Sequence, residues 1–277
     1  MSYITFSLLG KSADLGSQLQ QYSSMYAISQ ETGKQIVFPK SSISIGWEIK
    51  FNKLLGIDIN IMPDEFFKNF VNLTPADGVL KDEKVFNLNK DTNYNFNNLF
   101  HLYHYWYPKY QQDIFNWNWN VEYLNKALKL FNDIKKPGKE LVSIHVRRGD
   151  YLKHDHFCKL DNIYYEKAIQ YFIQDIEKYH FVIFSNDIEW CKDNLIEGEM
   201  VTFLDQGIDC VDMILMSMCD HNIIANSSFS WWAAFKNKNS NKKIVCPENY
   251  IRSYSLFSFM NKNWYPENWI SINNDIK

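Results

Sequence analysis

Between residues 141 and 246 the chain alternates short apolar runs with longer stretches whose apolar positions recur at helical spacing. The runs 141–146, 181–184, 200–204, 222–225 and 243–246 predict strands. Residues 164–177, 188–195, 210–219 and 228–235 predict helices between most of them. This alternation predicts a parallel sheet with right-handed crossovers, a Rossmann-like lobe.

The first half is less regular. Residues 3–9 read as a strand, and Leu15, Leu19, Tyr22 and Tyr26 fall at i, i+4, i+7 and i+11, predicting a helix over 15–30. A short strand at 35–38 is ended by Pro39. The segment 43–110 shows no period that assigns it. Val121, Leu124, Leu128 and Phe131 then mark an amphipathic helix closing this half. Lys135-Lys136-Pro137-Gly138-Lys139 is a charged Pro-Gly break, so the expected lobes are 1–137 and 138–277. The last helix of the second lobe is free to cross back to the first.

Composition narrows the class. A chain of 277 residues suits two lobes of roughly 100–150 residues, and 46% hydrophobic content supplies a sizeable core. Aromatic content is 17%, with 9 Trp and 17 Tyr. It reads first as bulky core, with rings lining a carbohydrate cleft as the sharper alternative. The net charge of −3 disfavours a nucleic-acid partner, so a phosphate ligand must be held by a local cluster. There is no run of ~18 apolar residues and no leader pattern after Met1, so cytoplasmic residence is expected. Cys158, Cys191, Cys210, Cys219 and Cys246 lack CxxC spacing and read as reduced thiols.

In open α/β sheets ligands bind beyond the carboxyl ends of the strands, so the residues just past each strand carry the candidate chemistry. The strand at 141–146 runs into His145-Val146-Arg147-Arg148-Gly149-Asp150, and that at 181–184 into Ser185-Asn186-Asp187. The strand at 222–225 leads to Asn226-Ser227-Ser228, which opens the next helix. A guanidinium binds phosphate oxygens bidentately through charge-assisted hydrogen bonds. Adjacent strand residues point oppositely, so one arginine of the pair is expected on the ligand and one in the scaffold. Arg147 shares the face of His145 and is the one expected on the ligand. Ser227 and Ser228 offer hydroxyls and helix N-terminal amides, suited to an anion or to plain capping. Ser185 and Asp187 are equally consistent with a ribose contact and with a helix cap. In the first lobe, Gly16 and Gln18 come after a strand, at a turn where backbone can approach a ligand closely.

Several chemistries are disfavoured. No Asp-x-Asp pair is present to bridge a metal to a diphosphate. His154-Asp155-His156 with Cys158 alternates within one short loop and reads as solvated, so no metal site is expected. Neither a Gly-x-Ser-x-Gly elbow nor a Walker loop occurs.

Taken together these segments resemble a known family. Residues 143–151, Ser-Ile-His-Val-Arg-Arg-Gly-Asp-Tyr, resemble the HxRRxD signature of α-1,2-fucosyltransferases, glycosyltransferase family eleven. Phe184-Ser185-Asn186-Asp187 with Trp190 is similar to the second block of that family. Asp212 through Cys219, followed by 223–234, is similar to the third, and Trp264-Tyr265-Pro266 to Trp269-Ile270 to its tail. The first lobe departs from the pattern. Its turn reads Gly16-Ser17-Gln18 where the family has Gly-Asn-Gln, and Gln20 stands where an aromatic is usual.

The resemblance implies an α/β GT-B architecture, two Rossmann-like lobes facing across a cleft, with the acceptor on the first and the donor on the second. It implies inverting transfer of L-fucose from GDP-β-L-fucose to a galactoside hydroxyl in α-1,2 linkage, with no metal and no other cofactor. By motif position Arg147 would carry the diphosphate, His145 would lie at the nucleotide, Asp212 would read guanine and Ser228 would meet the β-phosphate. Arg148, Ser185, Asp187, Asn226, Ser227, Gly16 and Gln18 complete the expected donor contacts. Asp150, Asp14 and His154 are the candidates for the catalytic base. An oligosaccharide, or a lipid-linked glycan presented at the inner membrane face, is the expected acceptor, with peripheral membrane association. The alternatives are a transferase of the same fold using another GDP-sugar, and a nucleotide-sugar-binding protein without turnover.

Overall fold

The computed structural model describes residues 1–9, 14–43, 48–76, 79–97, 102–205, 207–252, 261 and 263–274. Two units make up the chain, Met1–Val121 and Glu122–Lys277. The division precedes the helix at Val121–Ile134 rather than coming after it at Pro137. The reason is local: Lys139 N–H donates to Lys136 O at 3.1 Å and Gly138 adopts φ 72°. That tight turn ties the helix directly to the next strand.

The first unit holds β1 (Tyr3–Thr5), β2 (Gln35–Ile36), β3 (Phe38–Pro39), β4 (Ile61–Met62), β5 (Val71–Leu73) and β6 (Tyr94–Phe96). Its helices are α1 (Leu15–Thr32), α2 (Phe51–Leu55) and α3 (Gln111–Phe115), with α4 (Val121–Ile134) next in the chain. A parallel sheet runs in the order β2-β1-β6-β5, and β3 pairs with β4 in a separate parallel pair. The expected strand at 35–38 therefore divides. Val37 N–H still donates to Ile4 O, whereas Phe38 N–H donates to Asn60 O, so the chain leaves one sheet for the other. The strand expected at 3–9 ends at Thr5. Buried Lys34 ties β1, β2 and the turn before β6 together through Ser2 Oγ and the carbonyls of Asn89, Lys90 and Thr92, at 2.7–3.1 Å. Of the first-lobe turn, residues 10–13 lie outside the described residues.

The second unit keeps to the expected alternation. Its strands are β7 (Glu140–Val146), β8 (Tyr179–Ser185), β9 (Val201–Leu204), β10 (His221–Ile223), β11 (Ile244–Pro247) and β12 (Ile270–Ile272). Its helices are α5 (Asn162–Ile173), α6 (Ile188–Asn194), α7 (Asp209–Met218) and α8 (Ser228–Lys236). All strands are parallel in the order β12-β11-β10-β7-β8-β9. Counted from β7 this is the doubly wound Rossmann order, which reverses direction between β7 and β10. Val142, Ile144 and Val146 bury one face of β7 against Phe181, Ile183 and the α5 residues Tyr165, Ala168 and Phe172. Opposite them, the Asn222 amide donates to Ser143 Oγ at 2.7 Å and Met216 O at 2.8 Å.

The tail does not end in a helix among the described residues. Trp231 Nε1 donates to Trp264 O at 3.1 Å, and Trp264 stacks on Tyr250 at 3.9 Å between centroids. Those contacts return the chain to the second sheet as β12. No helix among the described residues is long and apolar enough to cross a membrane.

Candidate functional site

The reversal of strand order decides where the second unit can bind a ligand. At that point the loops beyond neighbouring strands diverge and leave a crevice at the carboxyl edge. The loop after β7 carries Arg147, Arg148 and Asp150. The loop after β10 carries Asn226 and Ser227 and opens α8 at Ser228. The sheet thus brings together two clusters nearly eighty residues apart in sequence. His145 and Phe229 join them, with ring centroids 5.4 Å apart.

The two arginines differ sharply. Arg148 is held in the scaffold: Nε donates to Asp187 Oδ2 at 3.1 Å, and the guanidinium lies 3.9 Å from the Trp190 ring centroid. Asp187 also caps α6 by accepting from Trp190 N–H at 3.3 Å, while Ser185 Oγ accepts from Asp187 N–H at 2.9 Å. Both residues of the second cluster are thus engaged within the unit. Arg147 instead sits over the Tyr151 ring at 5.1 Å and bonds the Asp150 carboxylate at 2.9–3.0 Å. Asp150 is half exposed, so an incoming anion can compete for Arg147 against a well-hydrated partner.

A tyrosine pair that the motifs did not single out connects the loops. Tyr151 and Tyr250 hydroxyls lie 3.2 Å apart. Ser227 lies near the Tyr151 hydroxyl, and the Ser228 backbone N–H lies against the Tyr250 hydroxyl. Burial raises both phenols above their ordinary range, so they stay protonated donors. Tyr151 stacks on Phe157 at 4.1 Å, which fixes its ring under Arg147. Tyr151 could have been found from its place next to the arginine loop; Tyr250 has no local signal.

His145 is buried, and Nδ1 has no hydrogen-bond partner among the described residues. Burial, with the Arg147 charge adding to it, lowers its pKa to about 3, so the imidazole is neutral. It can exchange hydrogen bonds with a ligand but adds no charge. Asn226 donates to Cys158 O at 2.8 Å and Tyr250 O at 2.9 Å, which holds the β10–α8 loop in place. Ser227 Oγ caps α8 by accepting from Phe229 N–H at 3.3 Å. Ser228 is the first residue of that helix, where the dipole favours an anion.

Asp212 stands in the first turn of α7 with Oδ1 unpartnered among the described residues. Burial, reinforced by Asp209 and Asp205, raises its pKa to about 7. The folded state therefore keeps a proton that the unfolded chain releases near pH 4, and stability falls as pH rises from there toward 7. Above that window the cost is complete. Asp212→Asn is expected to raise the unfolding temperature at pH 8 and to leave it unchanged at pH 4. Scanning calorimetry at both values checks this, and equal shifts would remove the ionisation account.

In the first unit, Gly16 lies in the first turn of α1 and Asp14 is its N-cap residue. Gln18 is buried: Nε2 donates to Glu48 O at 2.8 Å and Oε1 accepts from Lys50 N–H at 2.7 Å, holding the start of α2. His154 stacks with His156 at 5.9 Å between centroids. No group of three or more His, Cys, Asp or Glu among the described residues is arranged to hold a metal ion.

A doubly wound unit joined in the chain to a smaller parallel α/β unit makes up an α/β protein of GT-B fold. The chain belongs to glycosyl transferase family 11, whose model matches residues 7–273. It is 31% identical over 160 residues to the O-antigen biosynthesis glycosyltransferase WbnK of Escherichia coli, covering 54% of this chain and 52% of that protein. To an Escherichia coli alpha-1,2-colitosyltransferase it is 33% identical over 171 residues, covering 55% and 58%. The chain thus spans about half the length of these relatives. Among solved structures it is similar in fold to the fucosyltransferase NodZ from Bradyrhizobium (TM-score 0.56, 11% identity, 84% of this chain and 93% of that one). It is likewise similar to POFUT1 in complex with GDP-fucose (TM-score 0.53, 11% identity, 87% and 97%).

Proposed function

We propose that the chain transfers L-fucose from GDP-β-L-fucose to a galactoside hydroxyl on a glycan, in α-1,2 linkage, with inversion and without a metal ion. The observation that carries this reading is Arg147 at the switch point beside the first turn of α8, in a chain of family 11. The galactoside alpha-(1,2)-fucosyltransferase 1 of Homo sapiens supports the linkage, at 35% identity over 106 residues, 35% of this chain and 29% of that protein.

The step is a single displacement. The acceptor oxygen bonds the anomeric carbon from one face as the carbon–oxygen bond to the β-phosphate breaks on the other, and GDP leaves. Charge builds on the departing diphosphate. Arg147, the Ser228 hydroxyl and the positive end of α8 stabilise it there. Neutral His145 bonds the nucleotide, and the Asp212 carboxylate accepts from the guanine N–H groups. The acceptor proton passes to a base, and Asp150, ion-paired with Arg147 itself, is the candidate within this cluster. Asp14 and His154 are the other two. The O-antigen biosynthesis named for the WbnK relative supports a surface-polysaccharide acceptor, and we further propose that it is lipid-linked and met at the inner membrane face.

The test is calorimetric titration with GDP and then GDP-fucose under a metal chelator, followed by transfer to galactosides. Binding and turnover that survive chelation are the expected result; binding only with added metal overturns the mechanism. Because Asp212 must be ionised to accept from guanine, GDP affinity is expected to rise with pH up to about 7 and to lose that slope in Asp212→Asn. One rival is another GDP-sugar donor, and the colitosyltransferase relative favours colitose as its sugar. Comparing kcat/KM for the two donors separates them, and tight GDP binding with no transfer to any acceptor would mark a binding protein.

A further inference from the structure

The first unit contains a cavity that the proposed transfer does not use. It has a volume of about 660 Å³, within the range of small-molecule sites. Tyr22, Tyr26, Trp117 and Trp119 supply its rings, and Asp58 and Asn118 its polar edge. Tyr22 and Tyr26 lie two and three turns into α1, on the order of 10 and 16 Å along the helix from Leu15. The cavity is therefore well removed from the carboxyl edge of the first sheet, where a Rossmann-like unit ordinarily binds its ligand.

Three of these rings, Tyr22, Tyr26 and Trp117, are fixed before any ligand arrives. Tyr22 stacks on Phe51 at 4.2 Å between centroids, and Trp117 meets both Tyr22 and Tyr26 at 5.4 Å. The Tyr26 hydroxyl donates to Asp113 Oδ2 at 3.4 Å. Burial raises the Tyr22 phenol, with Tyr26 adding to it, so that hydroxyl stays protonated. Asp58 and Asn118 are exposed, and neither side chain makes a hydrogen bond or ion pair among the described residues. No lysine or arginine lines the cavity. A phosphorylated ligand would meet a carboxylate and no cation there. A neutral ligand with one apolar face and several vicinal hydroxyls meets flat rings for the face, and a carboxylate and an amide for the hydroxyls.

We propose that this cavity is a second saccharide-binding site, holding a neutral pyranose unit of a longer glycan away from the reacting hydroxyl. The proposal rests on the glycan-transfer reading only for the source of the sugar; the recognition chemistry is independent of it. A site of this kind raises the effective concentration of an extended acceptor and leaves a short one unaffected.

The test uses the full chain with GDP bound. Lactose and a neutral galacto-oligosaccharide are titrated by ligand-observed NMR against wild type, Trp119→Ala and Asn118→Ala, the last being a surface change that spares the fold. The oligosaccharide is expected to lose about tenfold in affinity in Trp119→Ala, the scale of one aromatic contact, with GDP affinity unchanged. In transfer assays the same variants are expected to raise KM for the oligosaccharide and to leave kcat, and KM for lactose, unchanged. Saccharide affinity equal in all three proteins overturns the site, as does binding of guanosine in its place. Saccharide binding lost in the variants of a chain that transfers nothing would uphold the site and remove the transferase reading.

Discussion

Replacing Arg147 by alanine is expected to lower the rate of sugar transfer by about 10²–10³-fold, the cost typical of removing one fixed donor from a developing oxyanion. Arg147 lies beyond β7 at the strand-order reversal, stacked over Tyr151, whose hydroxyl meets Tyr250 beside the start of α8. A guanidinium placed in this way needs little reorganisation when charge appears on the phosphate. The fold should be indifferent, because Arg147 caps no helix and its carboxylate partner Asp150 is half exposed. Far-ultraviolet circular dichroism and the unfolding temperature are expected to match wild type. Arg147→Lys is expected to recover part of the rate at most, since an ammonium cannot present two parallel donors. Normal transfer by Arg147→Ala would remove the central claim.

A smaller loss is expected from a single methyl group two residues on. Gly149 adopts φ +59°, and a Cβ there would lie 2.6 Å from Asn186 Nδ2. Asn186 Oδ1 accepts from Arg148 N–H at 2.9 Å, so displacing that side chain breaks the join between the loops after β7 and β8. Left-handed backbone costs an alanine about 1–2 kcal/mol, and an orphaned amide adds about 1–3 kcal/mol. Gly149→Ala should therefore lower both the unfolding temperature and kcat/KM, the latter by more than about tenfold. The double variant Gly149→Ala/Asn186→Gly relieves the close contact but keeps the backbone strain and the orphaned Arg148 N–H, so little recovery of stability is expected. Full activity in the single variant would show that the loop geometry does not govern Arg147.

The second unit was legible in the sequence because its two central strands and its helices are long enough to carry a period. β7 and β8 are seven-residue, mostly apolar strands buried on both faces, and α7 has helical apolar spacing with carboxylates in its first turn. The first unit was not. Its β2, β3 and β4 are two residues long, and β5 and β6 three, which is too short for alternation to register. The division between units falls ahead of α4 for a related reason: a Pro-Gly pair reads as a linker, but here it makes a turn inside one unit.

Residue order alone was enough to put Arg147, Asp187, Asp212 and Ser228 after the strands or at the helix starts of a doubly wound lobe. Periodicity and capping chemistry are local, and local patterns suffice for them. The task of each group was settled only once the chain had folded. Folding set Arg148 between Asp187 and Trp190 and left Arg147 at the crevice. It turned Gln18 inward to hold α2, and it brought Tyr250 beside Tyr151 from nearly a hundred residues away. Those outcomes depend on which strands neighbour one another and on what a side chain meets across the sheet. Long-range pairing of that kind leaves no mark in the spacing of residues along the chain.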